Sequence, residues 1–137
     1  MLVQVLVPSI GTVANWVQGE SLYDEMGNPN SNVVRGTAIA TFNEDGRYGP
    51  PGTKDVNQNH NNHAAFFLSF GAYMYPDGIV REGIWVIDQW QNRKDANGNA
   101  ISGIRFIPIK EGVTDPSNNA RAFSVIMVKK PQQLRKP

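Results

Sequence analysis

The chain of 137 residues contains no cysteine. This absence excludes disulfide bonds, a thiolate zinc site and a cysteine nucleophile within these residues. No apolar run approaches the ~20 residues that a membrane-spanning helix needs, so no membrane span is predicted. Positive charge is also missing ahead of Arg35, which makes the apolar opening at 2–7 a poor signal peptide.

Charge is sparse throughout the chain. Asp, Glu, Lys and Arg make up 18% of the residues and the net charge is +1, with acids and bases scattered along the sequence. Because there is no basic stripe, no nucleic-acid partner is expected. The length fits one domain over 1–137, and the basic residues within 129–137 indicate a solvated tail.

Glycine and proline are frequent, with 13 and 9 residues, which favours a β-rich fold with many short connections. Residues 2–7 have strand composition, although so short a run also fits a buried helix segment. A polar loop over 43–62 is long enough to suggest a functional rim. The other apolar runs of strand length are 36–42, 62–68, 83–90, 104–109 and 122–128.

The segment from His63 to Trp90 carries the candidate chemistry. Its centre, Tyr75-Pro76-Asp77-Gly78, is predicted to be a turn, because proline fixes φ at a value that turns use and glycine accepts a positive φ. A hairpin that reverses symmetrically about Tyr75 and Pro76 pairs residue 63 with residue 88. Opposed Cβ atoms lie roughly 5 Å apart, so His63 and Asp88 are predicted to form a hydrogen bond. A bulge that shifts this register by one residue would place the two side chains on opposite faces of the sheet.

A histidine held by a carboxylate is a candidate general base. The carboxylate fixes the tautomer and stabilises the cation, which leaves the other ring nitrogen to take a proton from a nucleophile. The residues alone give equal weight to a structural alternative, in which Asp88 ends a strand and bonds a nearby turn while His63 merely begins one. His60 and His63 lack a third ligand, so neither a metal nor a cofactor is predicted, and His60 is assigned to the loop.

Four blocks of the sequence resemble those of a known group of proteins: 36–42, 62–66, 84–90 and 122–126. They resemble the strand blocks of small bacterial papain-like proteins and are similar to CHAP-type amidases and type VI secretion amidase effectors. The resemblance implies an α+β fold, in which a short N-terminal helix packs on an antiparallel β-sheet of about five strands and the site lies at the helix start.

The resemblance also implies a function for the predicted pair. His63 would be the general base, Asp88 the orienting residue, and Gln89 and Trp90 substrate-binding residues near the cleft. The substrate would be the peptide of bacterial peptidoglycan, and an immunity protein would be a further partner. The protein would be secreted, or delivered to the periplasm, without a recognisable signal peptide.

The sequence departs from this family pattern at the nucleophile. In related sequences a cysteine opens the first helix, and Leu2-Val3-Gln4 matches only the Leu-Val portion of that run. Three explanations are open: the chain lacks its N-terminal part, it is a catalytically dead relative, or the alignment of the first helix is wrong. The first is favoured, and the chain as printed is expected to be inactive.

The competing hypothesis is a non-catalytic β-rich module that binds the cell wall or a protein. Its contact surface would consist of Trp85, Trp90, Tyr73 and Tyr75. Strand alternation predicts that Trp85 lies on the face opposite Asp88, in the core, and that Trp90 shares the face of Asp88.

Overall fold

The fold is an antiparallel sheet of six strands with the spatial order β1-β6-β2-β3-β4-β5. The computed structural model describes residues 13–54, 56, 63–94, 96–97, 100–109 and 119–128. The strands are β1 Trp16–Ser21, β2 Ala38–Thr41, β3 Ala64–Met74, β4 Val80–Lys94, β5 Ala100–Pro108 and β6 Phe123–Val128. Long strands β3, β4 and β5 therefore form one half of the sheet, and three short strands form the other.

The predicted α+β, papain-like fold is wrong. The helices in the described part of the chain are two 3-10 turns of three residues each, Val13–Asn15 and Ala120–Ala122, and the architecture is that of the sheet. The helix came from the resemblance and not from any apolar period of 3.6 residues in these segments. Residues 2–7, where it was predicted, and the predicted tail at 129–137 lie outside the described residues. None of the described helices is long and apolar enough to cross a membrane.

The strand β1 was missed by sequence reasoning. It spans Trp16–Ser21, a segment outside all the apolar runs that were predicted to be strands. Its last four residues are polar or glycine, so its own propensity for strand is weak. The strand instead depends on its pairing with β6. The fully buried Trp16 pairs with Val128, and the Gln18 side-chain amide donates a hydrogen bond of 3.0 Å to the Ser124 hydroxyl.

The predicted hairpin between β3 and β4 is present. The Gly78 N–H donates a hydrogen bond of 2.9 Å to the carbonyl of Tyr75, and the glycine adopts a φ of 80° that suits this residue type. Met74 pairs with Val80, so the turn is centred on Asp77 rather than on Tyr75 and Pro76.

A bulge interrupts the pairing of these two strands. On the turn side Ser69 pairs with Trp85, and on the far side Phe67 pairs with Val86, which leaves Leu68 as the extra residue. A bulge of this kind moves all later residues of one strand by one position relative to its partner.

The Leu68 bulge decides which side chains share a face. Beyond it, the register places Ala65 opposite Asp88, and His63 lies two residues further along the same face. The predicted pairing of residue 63 with residue 88 is therefore wrong by two residues, which preserves the face. Without the bulge, the same turn would put His63 and Asp88 on opposite faces of the sheet.

Each face of the sheet carries a buried apolar cluster, which explains why apolar residues follow one another along the strands. We name the faces after Val86 and Phe66. The cluster on the Val86 face contains Leu22, Tyr23, Val33, Ile39, Ala65, Phe67, Ile84, Val86, Ile107, Ala120 and Phe123. The cluster on the Phe66 face contains Trp16, Ala40, Phe42, Tyr48, Ala64, Phe66 and Ile126.

Candidate active site

The predicted contact between His63 and Asp88 is present at the end of the Val86 face. The Nε2 atom of His63 lies 2.7 Å from Oδ2 of Asp88. The side chain of Asp88 is 1% exposed and that of His63 is 23% exposed, so the imidazole is reachable from solvent while the carboxylate is not. An ionised carboxylate only accepts, so Nε2 carries the proton and the neutral imidazole keeps Nδ1 as its acceptor.

Arg105 on β5 is a third member of this cluster. Its Nε and Nη2 atoms each lie 2.8 Å from Oδ2 of Asp88, the oxygen that also contacts His63. Arg105 pairs with Val86, and Gly103 stands opposite Asp88, so the arginine reaches the carboxylate diagonally across the strands. Sequence reasoning missed Arg105, although a cation within the apolar strand at 104–107 was the signal that pointed to it.

The carboxyl group of Asp88 is ionised at neutral pH. Burial by itself raises the pKa of Asp88, but the hydrogen bond from His63 and the charge of Arg105 outweigh burial and hold this pKa below its usual value of 3.8. The other carboxylate oxygen, Oδ1, is buried and has no hydrogen-bond partner among the described residues. Within the described part of the structure, the polar contacts of the Asp88 side chain therefore converge on Oδ2.

Thr41 fixes the backbone of His63 from the end of β2. The Thr41 hydroxyl accepts a hydrogen bond of 3.0 Å from the His63 N–H, and the Thr41 N–H donates one of 3.0 Å to the His63 carbonyl. Thr41 is fully buried. It was not among the predicted site residues, because a threonine at a strand end gives no sequence signal of such a role.

Replacing Thr41 with valine is expected to lower the free energy of unfolding by about 1–3 kcal/mol, because the His63 N–H loses its acceptor while valine keeps the volume. Chemical denaturation measures this loss. The control is Thr41→Ser, which keeps the hydroxyl and gives up one methyl group, at about 1 kcal/mol. Equal losses in the two variants would show that the hydroxyl does not anchor His63.

Acid is expected to remove the contribution of Asp88 to stability. Its pKa is lowered in the folded state, so the contribution is present above the unfolded-state pKa and is lost as the pH falls through the folded-state value. Denaturation at neutral pH should show wild type to be more stable than Asp88→Asn, and this difference in stability should narrow as the pH falls below the ordinary aspartate pKa of 3.8. A gap that stays constant over this range would contradict the ionised pair.

Two other predicted site residues follow Asp88 on the same strand. Gln89 pairs with Ser102 and Trp90 with Ile101, but the side chains of Gln89 and Trp90 lie outside the described part of the structure. Their substrate-binding role stays a prediction. His60 also lies outside the described residues. Across the described ranges, no group of three or more His, Cys, Asp or Glu side chains could hold a metal ion.

Three of the four aromatic residues of the competing hypothesis, Tyr73, Tyr75 and Trp85, cluster on the Phe66 face, opposite Asp88. Ring centroids of Tyr73 and Tyr75 are 5.3 Å apart, those of Tyr73 and Trp85 5.9 Å, and Phe106 packs 5.0 Å from Trp85. The guanidinium of Arg81 lies 4.5 Å from the centre of the Tyr75 ring. Tyr73 is 46% exposed, so the cluster offers an aromatic surface, and Trp85 is partly rather than fully buried.

The fold and the site together define a β-sheet protein with a histidine and carboxylate pair of the kind that hydrolases use for proton transfer. Comparison with known proteins identifies the family. The profile described as domesticated amidase effector 2 matches residues 2–126, and the chain belongs to this family.

A curated relative supports this assignment. The chain is 33% identical over 129 residues to a type VI secretion amidase effector 2 protein of Salmonella typhi, and the match covers 85% of this chain and 75% of that protein. No solved structure matches the chain. The resemblance to amidase effectors is therefore confirmed, whereas the narrower likeness to CHAP-type amidases stays a prediction.

Proposed function

We propose that this amidase effector hydrolyses an amide bond in the peptide of bacterial peptidoglycan, with His63 as general base and Asp88 as its orienting residue. The observation that carries the proposal is the hydrogen bond of 2.7 Å between His63 and the buried Asp88, in a chain of an amidase effector family. Delivery outside the cytoplasm and an immunity protein as partner belong to the same proposal.

The proton transfers follow from the tautomer. With Nε2–H directed at Asp88, Nδ1 of His63 takes the proton of the nucleophile as it attacks the amide carbonyl, and the carboxylate stabilises the resulting imidazolium. The imidazolium then gives this proton to the leaving amine as the carbon–nitrogen bond breaks. Water attacks the acyl group with His63 again as base, and the acid is released while the nucleophile regains its proton.

The proposed nucleophile is a cysteine thiolate. The 137 residues contain no cysteine, so in this mechanism the thiol belongs to a part of the encoded protein beyond them. Close to His63, such a thiol ionises readily because the imidazolium stabilises the thiolate. The chain as printed would then hold the acid–base half of the site and would be inactive alone.

The test compares two proteins on purified peptidoglycan: the protein as its gene encodes it and the chain of 1–137. Mass spectrometry of the released muropeptides identifies the bond that is cleaved. The encoded protein is expected to be active, to be blocked by a thiol-alkylating reagent, and to exceed the chain of 1–137 by orders of magnitude. An inert encoded protein, or activity that alkylation leaves unchanged, would refute the cysteine amidase.

A binding module is the second candidate, and the exposed aromatic cluster around Tyr73 is the observation that favours it. Exposed aromatic patches on a sheet often mark binding surfaces. Co-sedimentation of 1–137 with peptidoglycan tests this candidate, with Tyr73→Ala as the variant. Binding that requires Tyr73, together with an inert encoded protein, would favour the module over the enzyme.

A further inference from the structure

We infer that Arg105 is a positioning residue of the amidase reaction: it keeps Asp88 ionised, so that Asp88 holds His63 with its Nε2 proton directed inward and Nδ1 available to the nucleophile. This inference rests on the proposed function and extends it to a residue that does not itself need to touch the substrate.

The geometry of the guanidinium supports this role. An arginine that only pairs with a carboxylate usually forms two parallel hydrogen bonds, one to each oxygen. Here Nε and Nη2 of Arg105 both lie 2.8 Å from Oδ2, whereas Oδ1 has no partner among the described residues. Both contacts of the guanidinium are therefore made to the oxygen that accepts the hydrogen bond from His63.

Asp88 needs such a partner because of where it lies. Its side chain is 1% exposed and follows Val86 on the buried face, an environment that favours the neutral acid. A protonated Asp88 would no longer stabilise the imidazolium that forms during the reaction. The guanidinium stays charged at all accessible pH values, so it opposes protonation of Asp88 whatever the state of His63.

The strands that flank Asp88 contribute one ionisable partner each. His63 immediately precedes β3 on one side and Arg105 lies on β5 on the other, and these two groups supply the charge interactions that act on Asp88 in the described structure. Gly103 stands directly opposite Asp88 and has no side chain to separate the arginine from the carboxylate. Of the two partners, only Arg105 keeps its charge when His63 gives up its proton.

The test measures the protonation of Asp88 directly, by ¹³C NMR of its carboxyl group over an acid titration. In Arg105→Gln the midpoint is expected to rise by about 1 pH unit or more, the usual effect of removing an adjacent guanidinium, and Arg105→Lys is expected to restore most of the shift. Arg81→Gln is the matched control. It removes another arginine–aspartate pair, the contact of 3.1 Å between Arg81 and Asp77, and is expected to leave Asp88 unchanged.

Turnover of peptidoglycan by the encoded protein supplies the second measurement. The loss of kcat/KM in Arg105→Gln should grow as the pH is lowered, because Asp88 is then protonated at a higher pH than in wild type, and Arg105→Lys should restore kcat/KM. A merely structural role would lower kcat/KM by the same factor at every pH. An unchanged Asp88 midpoint, or a raised midpoint with a loss of kcat/KM that is the same at every pH, would overturn the inference. Because the NMR titration needs no activity, an inert wild-type protein with a raised midpoint in Arg105→Gln would refute the amidase and leave the Arg105–Asp88 coupling established.

Discussion

Replacing His63 with alanine in the encoded protein is expected to lower peptidoglycan turnover by about 10²–10⁴-fold, the usual contribution of a general base. The variant removes the atom that takes the proton of the nucleophile. It should fold, because the two hydrogen bonds that Thr41 makes to residue 63 use only backbone atoms of that residue. Turnover at neutral pH measures the loss of activity, and thermal unfolding of the same preparation measures any loss of stability.

The chain offers a matched control for this variant. It contains two histidines, and the other, His60, is predicted to be a loop residue without a catalytic role. His60→Ala is therefore expected to keep turnover close to that of wild type. Comparable losses in the two variants, or a His63→Ala protein that retains most of its turnover, would remove His63 from the mechanism.

Gly83→Ala is expected to destabilise the protein by about 3 kcal/mol, the upper range for forcing atoms into a packed region. A Cβ atom at this position would overlap the carbonyl oxygen of Ile107 and lie 2.7 Å from Cα of Pro108, both backbone atoms of β5. The strand would have to move away, and it carries Arg105. We therefore expect a lower free energy of unfolding and a loss of turnover together, measured by denaturation and by muropeptide release.

Gly71 is the matched control because it is the cross-strand partner of Gly83. A Cβ atom on Gly71 would lie 3.1 Å from Nε1 of Trp85, a partly exposed ring that can shift by a few tenths of an ångström. Gly71→Ala is expected to cost less than about 1 kcal/mol. If both glycines tolerate alanine equally, the close approach of β5 to Gly83 is not a constraint on the fold.

The central hairpin shows which features of the structure could be predicted from the sequence. Turn chemistry at 75–78 and two apolar runs predicted the pairing of β3 with β4, and the hydrogen bond between His63 and Asp88 followed from it. The exact register could not be predicted, because the turn is centred on Asp77 and because the Leu68 bulge then shifts one strand relative to the other. Neither shift leaves a signal in composition, and the two together happened to preserve the face that His63 shares with Asp88.

Tertiary interactions account for what the sequence did not reveal. The strand β1 is polar over most of its length and forms because β6 offers hydrogen-bond partners. Arg105 lies forty-two positions after His63 in the sequence, and only the pairing of β4 with β5 brings it to Asp88. The predicted helix had no support in the periodicity of the chain, and the described part of the structure is a sheet.

The hydrogen bond between His63 and Asp88 is the contact on which the proposed mechanism depends, and NMR of the imidazole proton tests it most directly. We expect the Nε2 proton of His63 to appear far downfield, to exchange slowly with water, and to move upfield in Asp88→Asn, where a neutral amide replaces the carboxylate. A proton on Nδ1 instead, or an Nε2 proton that exchanges freely and does not respond to Asp88→Asn, would contradict the paired site.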